Sequence, residues 1–350
     1  MARHSRQNPA IREFVLRNLA AHPRDITQVT ATKFGLSRAA SVGYLRRLQT
    51  EGLVKAAGRT KGRSYSLMPT IEEVFQIEIS PDLPEDIVFR HRVLPHMSGL
   101  KPNLIALCQY GFTEILNNAI DHSGSENAVV IFRRDYAQIS MTVIDFGIGI
   151  FQKLQNDFGL ADPRTALLEL SKGKLTSDRQ RHAGEGIFYT SRMFDQFSVG
   201  SGELFYTRRR KNDDEWLIEA KTRDSPTQGT SANMTLSTDA EWTPQQVFAK
   251  YQKDDLVFRR THVPLNLGRY PGEELVSRSQ AKRVLARFEQ FSEVILDFDG
   301  VKTIGQAFAD EIFRVFQNDH PKTPIHAINT SKAIRQMIQH VRRGQTMSTS

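Results

Sequence analysis

The chain of 350 residues has one cysteine, Cys108, two tryptophans and no long apolar run. A single thiol rules out an internal disulfide and a cysteine-built zinc site, and its place in an apolar, helix-patterned stretch points to packing. No segment approaches the roughly 20 consecutive apolar residues that span a bilayer as a helix. The opening Met1-Ala-Arg-His-Ser-Arg-Gln-Asn8 lacks the apolar core of a secretory leader. A cytoplasmic protein with no membrane partner is expected. Acidic residues are scarce in one place. Residues 1–67 hold thirteen Lys or Arg against three Asp or Glu, a local +10, whereas the other 283 carry 34 basic and 36 acidic residues. The net charge of +8 is therefore concentrated in the first fifth of the chain, and a polyanion partner is expected for that part alone. A composition of 39% hydrophobic and 25% charged residues suits a folded chain of two or three domains.

Within the basic segment, Ile11, Phe14, Val15, Leu16 and Leu19 recur at helical spacing. Asp25-Ile-Thr27 opens a second helix that runs toward Phe34-Gly35, and Ser37 is placed to cap a third that reaches about Thr50. Gly35 supplies the turn between two short helices. Leu53 to Leu67 then reads as two strands around a basic, glycine-containing tip. In this order, residues 8–67 resemble the winged helix-turn-helix of bacterial regulators. The resemblance implies that the third helix enters the major groove of double-stranded DNA. Ser37, Arg38, Ser41 and Tyr44 would face base edges, with Arg46 and Arg47 nearer the phosphates. Arg59, Lys61 and Arg63 in the wing would meet phosphate or the minor groove. Many winged helices bind protein instead. The local charge favours nucleic acid, and the lack of an aromatic stacking platform favours duplex DNA over RNA.

Further along, Phe112 to His122 is patterned as a helix that carries Glu114 and Asn118 on one face, one turn apart. Ile139-Ser-Met-Thr-Val-Ile144 reads as a buried strand ending in Asp145-Phe-Gly147-Ile-Gly149, and Gly184-Glu-Gly186 opens another helix. These residue types suit a nucleotide. A buried carboxylate can accept from the exocyclic amine of adenine. An asparagine oxygen suits a magnesium ion that already bridges phosphates. A glutamate one turn away can orient or deprotonate a water or a hydroxyl. Amides exposed by glycine at a helix N-terminus seat phosphate oxygens. Taken singly, Asp-x-Gly-x-Gly is commonly a turn and Gly-x-Gly a tight connection.

Together and in this order the motifs resemble the GHKL ATP-binding domain of type II topoisomerases, mismatch-repair ATPases, certain chaperones, histidine kinases and anti-sigma-factor kinases. The resemblance implies an α/β sandwich over residues 101–240 that binds ATP and Mg2+. Glu114 would be the catalytic carboxylate and Asn118 the magnesium ligand. Asp145, Gly147 and Gly149 would surround adenine, Gly184 and Gly186 would face the phosphates, and Thr230 would support Asp145. A mobile lid is expected at residues 151–183, where Ser171 to His182 is polar. Lys172 and Lys174 are second-tier phosphate contacts, because basic residues in polar loops are usually just solvated.

Residues 68–100, with Pro69, Pro81, Pro84 and Pro95, read as a connector holding one strand, Val74 to Ile79. After the ATPase-like region, strands at 256–265, 294–298 and 324–328 alternate with helices at about 277–290, 305–319 and 331–342, a small layered αβ unit over 255–345. Val294-Ile-Leu-Asp-Phe-Asp-Gly-Val-Lys-Thr-Ile-Gly-Gln-Ala-Phe308 is similar to the central strand and loop of STAS domains. Phosphorylatable STAS domains carry a serine at the start of the next helix, where this chain has Gly305, Gln306 and Ala307. The resemblance therefore implies a protein-interaction or dimerisation module and no phosphoacceptor at that position.

The expected fold class is multi-domain α+β: a winged helix over 1–67, the connector, a GHKL sandwich and a STAS-like domain. The leading expectation for function is an ATP-responsive, DNA-binding transcriptional regulator, with slow Mg-dependent hydrolysis through Glu114 resetting a switch. An anti-sigma-type serine/threonine kinase acting on a separate partner stays open, since a carboxylate at 114 serves water or a substrate hydroxyl alike. ATP held only as a structural clamp is a third reading. A sensor histidine kinase fits poorly, because His91 and His96 flank a proline-containing loop. The habits of these families imply a homodimer, with a possible protein partner for the STAS-like part.

Overall fold

The structure, a computed structural model, describes residues 8–59, 62–160, 162–172, 185–211, 214–219, 228–251, 260–268 and 273–343. Lys61, Lys174 and Gly184, each expected to touch a ligand, lie outside the described residues. By contacts the chain divides into two units, Met1–Phe75 with Val130–Met141 and Thr235–Ala240, and Gln76–Val129 with Thr142–Met234 and Glu241–Ser350.

In the first unit, α1 (Pro9–Asn18) starts where Asn8 Oδ1 accepts from the Ala10 N–H at 3.0 Å. Helix α2 (Ile26–Phe34) stops at Gly35, which takes φ +62° to turn the chain. Ser37 caps α3 (Arg38–Thr50) by accepting from the Ala40 N–H at 3.2 Å. The apolar faces meet in a core of Ile11, Val15, Leu16, Leu19, Ile26, Leu45, Leu48 and Val54. Each large side chain buried there contributes about 1.5–3 kcal/mol. An antiparallel hairpin follows, β1 (Val54–Ala57) with β2 (Ser64–Leu67), Val54 opposite Leu67. Arg17 ties α1 to the other segments of its unit. It lies 5.2 Å over the Tyr136 ring, donates to Thr238 Oγ1 at 2.9 Å and pairs with Asp239 at 2.5 Å.

Seven strands form the large sheet in the order β3-β4-β5-β9-β6-β7-β8. They are β3 (Ile71–Glu78), β4 (Asn127–Arg134), β5 (Gln138–Asp145), β6 (Gln196–Ser201), β7 (Leu204–Arg209), β8 (Asp214–Glu219) and β9 (Thr230–Ser237). Alternation along β5 buries Ile139, Met141, Val143 and Asp145. The connector contributes β3 and the short α4 (Glu85–Val88).

The second unit is organised by α5 (Pro102–His122), which joins the helix-patterned stretch around Cys108 to the segment from Phe112 to His122. The apolar stripe explains this: Leu104, Leu107 and Cys108 continue the face of Phe112, Ile115, Leu116 and Ala119. Cys108 is fully buried there, and burial raises its thiol pKa. Helices α6 (Ile150–Phe158), α7 (Pro163–Lys172), α8 (Gly186–Met193) and α9 (Pro244–Tyr251) follow. Of the lid expected at residues 151–183, residues up to 172 carry α6 and α7, and 173–183 lie outside the described residues. Phe151, Ala166 and Leu168 supply buried anchors that a solvated loop lacks.

The C-terminal part has three parallel strands in the order β10-β11-β12, namely β10 (Arg260–Pro264), β11 (Glu293–Asp297) and β12 (Ile325–Ile328). Helix α10 (Arg278–Leu285) opens with a capping box between Ser277 and Gln280. It ends short of the expected residue 290 because Arg287 adopts φ +67° and turns the chain. Helix α11 (Gln306–Asp310) passes through a wider turn at Glu311–Phe316 into α12 (Gln317–Asp319). Helix α13 (Lys332–Arg343) buries Ile334, Ile338 and Val341. Among the described residues, no helix is long and apolar enough to cross a membrane.

Candidate functional site

Strand β5 ends in a buried carboxylate. Asp145 is 6% exposed, and its Oδ1 accepts from the Gly147 N–H at 3.0 Å and the Thr230 N–H at 3.2 Å. Both backbone bonds fall on one oxygen, so Oδ2 keeps acceptor capacity for a ligand. Burial raises the Asp145 pKa, and the bonds from Gly147 and Thr230 oppose that rise. Thr230 also accepts on Oγ1 from the Ile150 N–H at 3.0 Å, linking the start of β9 to the start of α6.

The glycines are required by close approach. A Cβ on Gly147 would strike the Ser123 carbonyl. Gly149 takes φ +86°, and a Cβ there would meet the Ser201 hydroxyl. A Cβ on Gly186 would enter the carboxylate of Glu114, so the N-terminus of α8 and the catalytic candidate on α5 are in contact. Asn118 donates through Nδ2 to Glu114 O at 2.8 Å, which leaves Oδ1 as the acceptor of its carboxamide. The structure therefore brings Asp145, Gly147, Gly149 and Thr230 into one group, and Glu114, Asn118 and Gly186 into another.

Two residues beside Glu114 escaped the sequence reading. The Tyr110 phenol has its pKa raised by burial first and then by the negative charge of Glu114, with Tyr189 and Glu185 adding to it. Tyr110 stands one turn before Glu114, and Glu185 is the central residue of the Gly-x-Gly pair. Both positions were visible as spacing.

Lys172 is placed differently from expectation. It is 0% exposed, and its ammonium lies 2.5 Å from Glu169 Oε1 and 2.9 Å from Ala286 O. Arg287 joins the same carboxylate at 3.0 Å, and Thr261 Oγ1 donates to Lys172 O at 2.7 Å. Burial lowers the Lys172 pKa and Glu169 opposes the shift. An ammonium fixed in this way fastens α7 to β10 and to the turn after α10, and is not presented to a phosphate.

On α3, Arg38, Arg46, Arg47 and the capping Ser37 are exposed, and Tyr44 is half-buried beneath Arg47 at 5.9 Å. Ser41 corrects the expected base-reading set. It is 1% exposed and shares the inner face with Leu45 and Leu48, four and seven residues on. At the hairpin tip Arg59 and Arg63 are exposed.

The family described as STAS-like domain of unknown function (DUF4325) matches residues 280–335, from α10 into α13. Residues 280–335 are a STAS-like domain. No curated protein matches the chain. At the start of α11, Gly305 packs on the Val276 backbone so closely that any Cβ would collide. In the three-stranded C-terminal sheet, Asp297 at the end of β11 receives His262 Nε2 from β10 at 3.1 Å, Asn329 Nδ2 from beyond β12 at 2.9 Å and the Asp299 N–H at 2.9 Å. Burial pushes the Asp297 pKa up, but the bonds from His262, Asp299 and Asn329 outweigh it and hold the carboxyl below its ordinary range.

Proposed function

We propose that the chain is an ATP-responsive regulator that binds double-stranded DNA, with a GHKL-type pocket around Asp145 and a winged helix-turn-helix in the first 67 residues. The observation that carries the reading is the buried Asp145, bracketed by Gly147 and Thr230, together with Glu114 set against the Gly186 end of α8. The cradles that a Cβ would fill, and a set of two carboxylates, one carboxamide and backbone amides, fit a nucleotide with its magnesium ion. Among the described residues no cluster of three or more His, Cys, Asp or Glu could hold a metal. An ion at Asn118 would therefore arrive already chelated by phosphates.

In this reading Asp145 accepts from the adenine amine, Asn118 Oδ1 faces the magnesium ion, and the Gly186 amide faces phosphate. ATP supplies a γ-phosphate for release or transfer. Glu114 takes a proton from a water or a hydroxyl at its carboxylate. Arg38, Arg46 and Arg47 on α3, with Arg59 and Arg63 on the hairpin, supply the cations for duplex DNA. The STAS-like domain serves as the surface for a protein partner or a second copy. Inverting a 1:99 population needs roughly 5.5 kcal/mol of differential affinity, a demand that a triphosphate with several contacts can meet.

The test is duplex binding by the full chain with and without ATP and magnesium, in wild type and Asp145→Asn. ATP should change the affinity at least tenfold in wild type and not in the variant, and equal affinities in wild type would overturn the regulatory reading. Incubation with γ-labelled ATP separates the chemistries: free phosphate lost in Glu114→Ala marks an ATPase, whereas a labelled protein band marks the kinase.

A further inference from the structure

Three strand ends meet at Asp145. Strand β9 lies between β5 and β6 in the large sheet, so Thr230, its first residue, has Asp145 at the end of β5 on one side and Ser201 at the end of β6 on the other. Ser201 is 5% exposed, and its hydroxyl donates to Gly229 O at 2.8 Å. That carbonyl and the Thr230 N–H belong to one peptide group, and the same N–H donates to Asp145 Oδ1 at 3.2 Å. A peptide group is planar and conjugated, so its C=O and N–H point in opposite directions and polarise together. A proton donated to the oxygen makes the N–H a stronger donor, and bonds arranged in such a chain strengthen one another by about 10–30% each. Ser201 therefore acts on a carboxylate to which it makes no hydrogen bond of its own.

Close packing holds this chain in place. A Cβ on Gly149 would stand 2.4 Å from Ser201 Oγ, and one on Gly229, at φ +87°, would stand 2.1 Å from Asp145 O. Backbone thus closes on the hydroxyl from the Gly149 side and on Asp145 from the Gly229 side. The carboxylate depends on its donors. Burial raises the Asp145 pKa, and the groups that oppose the rise are neutral: the Gly147 amide and the amide and hydroxyl of Thr230. Among them, the Thr230 amide is the one that Ser201 polarises. An ionised Asp145 accepts from a 6-amino purine and repels a 6-oxo one, whereas a protonated carboxyl can donate to the 6-oxo group. A buried hydroxyl that merely satisfied a neighbouring carbonyl would leave Asp145 indifferent to its removal.

We propose that Ser201 is a positioning residue for Asp145, holding the Gly229–Thr230 peptide so that the carboxylate stays an acceptor and selects a 6-amino over a 6-oxo purine. The selection of a base rests on the nucleotide reading given above; the link from Ser201 to Asp145 does not. The test has two arms, both on the full chain. In the first, carbon-13 NMR follows the Asp145 carboxyl through a pH titration without nucleotide, its signal assigned by its loss in Asp145→Asn. Ser201→Ala should move the midpoint up by about half a unit, and Ser198→Ala, the same change on the same strand, should leave it in place. Ser201→Cys keeps a weak donor; it should give a smaller shift of the same sign, and it stands in if Ser201→Ala fails to fold. In the second arm, calorimetry at the wild-type midpoint compares ATP with inosine triphosphate, which carries a 6-oxo group. Wild type should favour ATP, and Ser201→Ala should lower that preference about threefold, the half-unit shift read as a ratio of ionised to protonated carboxyl. A midpoint unmoved in both Ser201 variants, or moved equally by Ser198→Ala, would overturn the proposal. A moved midpoint with an unchanged preference for ATP would overturn its base selection. Wild type that binds neither triphosphate would instead overturn the nucleotide reading, and the titration would still decide the link between Ser201 and Asp145.

Discussion

Replacing Glu169 by glutamine should loosen α7 from β10 and from the turn at Ala286. Glu169 is the carboxylate that pairs directly with Lys172, which is fully buried, and with Arg287, whose side chain is 17% exposed. Removing one partner of a buried ion pair costs about 3–5 kcal/mol, because the remaining charge has lost its counter-ion. Glutamine keeps an oxygen for the Lys172 ammonium, which argues for the lower end, about 3 kcal/mol. Burial already holds the Lys172 pKa down, and Glu169 is what opposes it. The variant lysine should therefore titrate closer to neutral pH. A lysine with a depressed folded pKa destabilises the fold while charged, so the variant should recover stability as pH rises through that pKa toward the unfolded value. A chain of several units does not unfold as one transition, so the readout is hydrogen exchange of the α7 and β10 amides. A loss of about 3 kcal/mol speeds exchange about 150-fold where local opening governs it. Glu169→Leu with Lys172→Met removes the buried pair together, leaving the partly exposed Arg287 to be solvated, and should restore part of the protection. Exchange in Glu169→Gln within about threefold of wild type would refute the reasoning, since it would mean that water already reaches the cluster.

Gly186→Ala places a methyl in the carboxylate of Glu114; under the proposed ATPase reading, phosphate release should fall about tenfold or more, with little change in nucleotide affinity. For Asp297, whose folded pKa is lowered, the stabilisation is present above the unfolded value and is lost as pH falls through the folded one. Asp297→Asn should therefore flatten the acid limb of an unfolding curve monitored by circular dichroism, at a cost of about 1–3 kcal/mol near neutral pH. Arg17→Ala should cost no more than about 1 kcal/mol, because its pair with Asp239 is partly exposed and screened by salt; thermal melts at low and high salt check this.

Features set by neighbours in sequence were legible beforehand. The Ser37 cap, the Gly35 turn and the order of the C-terminal strands and helices each rest on a few adjacent residues, and the structure has them close to where the pattern put them. The burial of Ser41 was also legible, since its spacing to Leu45 and Leu48 is that of one helical face, but serine was read by chemistry in place of position. Lys172 was not legible. The residues that follow it in sequence are polar, and two groups that contact it or its partner Glu169, Ala286 and Arg287, stand more than a hundred residues away. Nor does spacing show that Arg192, Arg208, Arg210 and Lys250 converge, because they come from α8, the end of β7 and α9. At the candidate site, the Glu114 and Asn118 spacing and the glycine pairs could be read locally. The contact of Gly186 with Glu114 spans seventy-two positions and needed the fold.

Helix α8 is eight residues long, about 12 Å, and its two ends differ in kind. Three side chains grip its final carbonyls, whereas at its first residue only the absence of a Cβ lets it approach Glu114. A rod fixed at one end moves by rotating. A shift of about 1 Å at Gly186 amounts to a tilt of about 5° about the anchored end. A side chain added at Gly186 would therefore have to be absorbed by Glu114 or by a tilt of α8, since the far end is held by Arg208, Arg210 and Trp242.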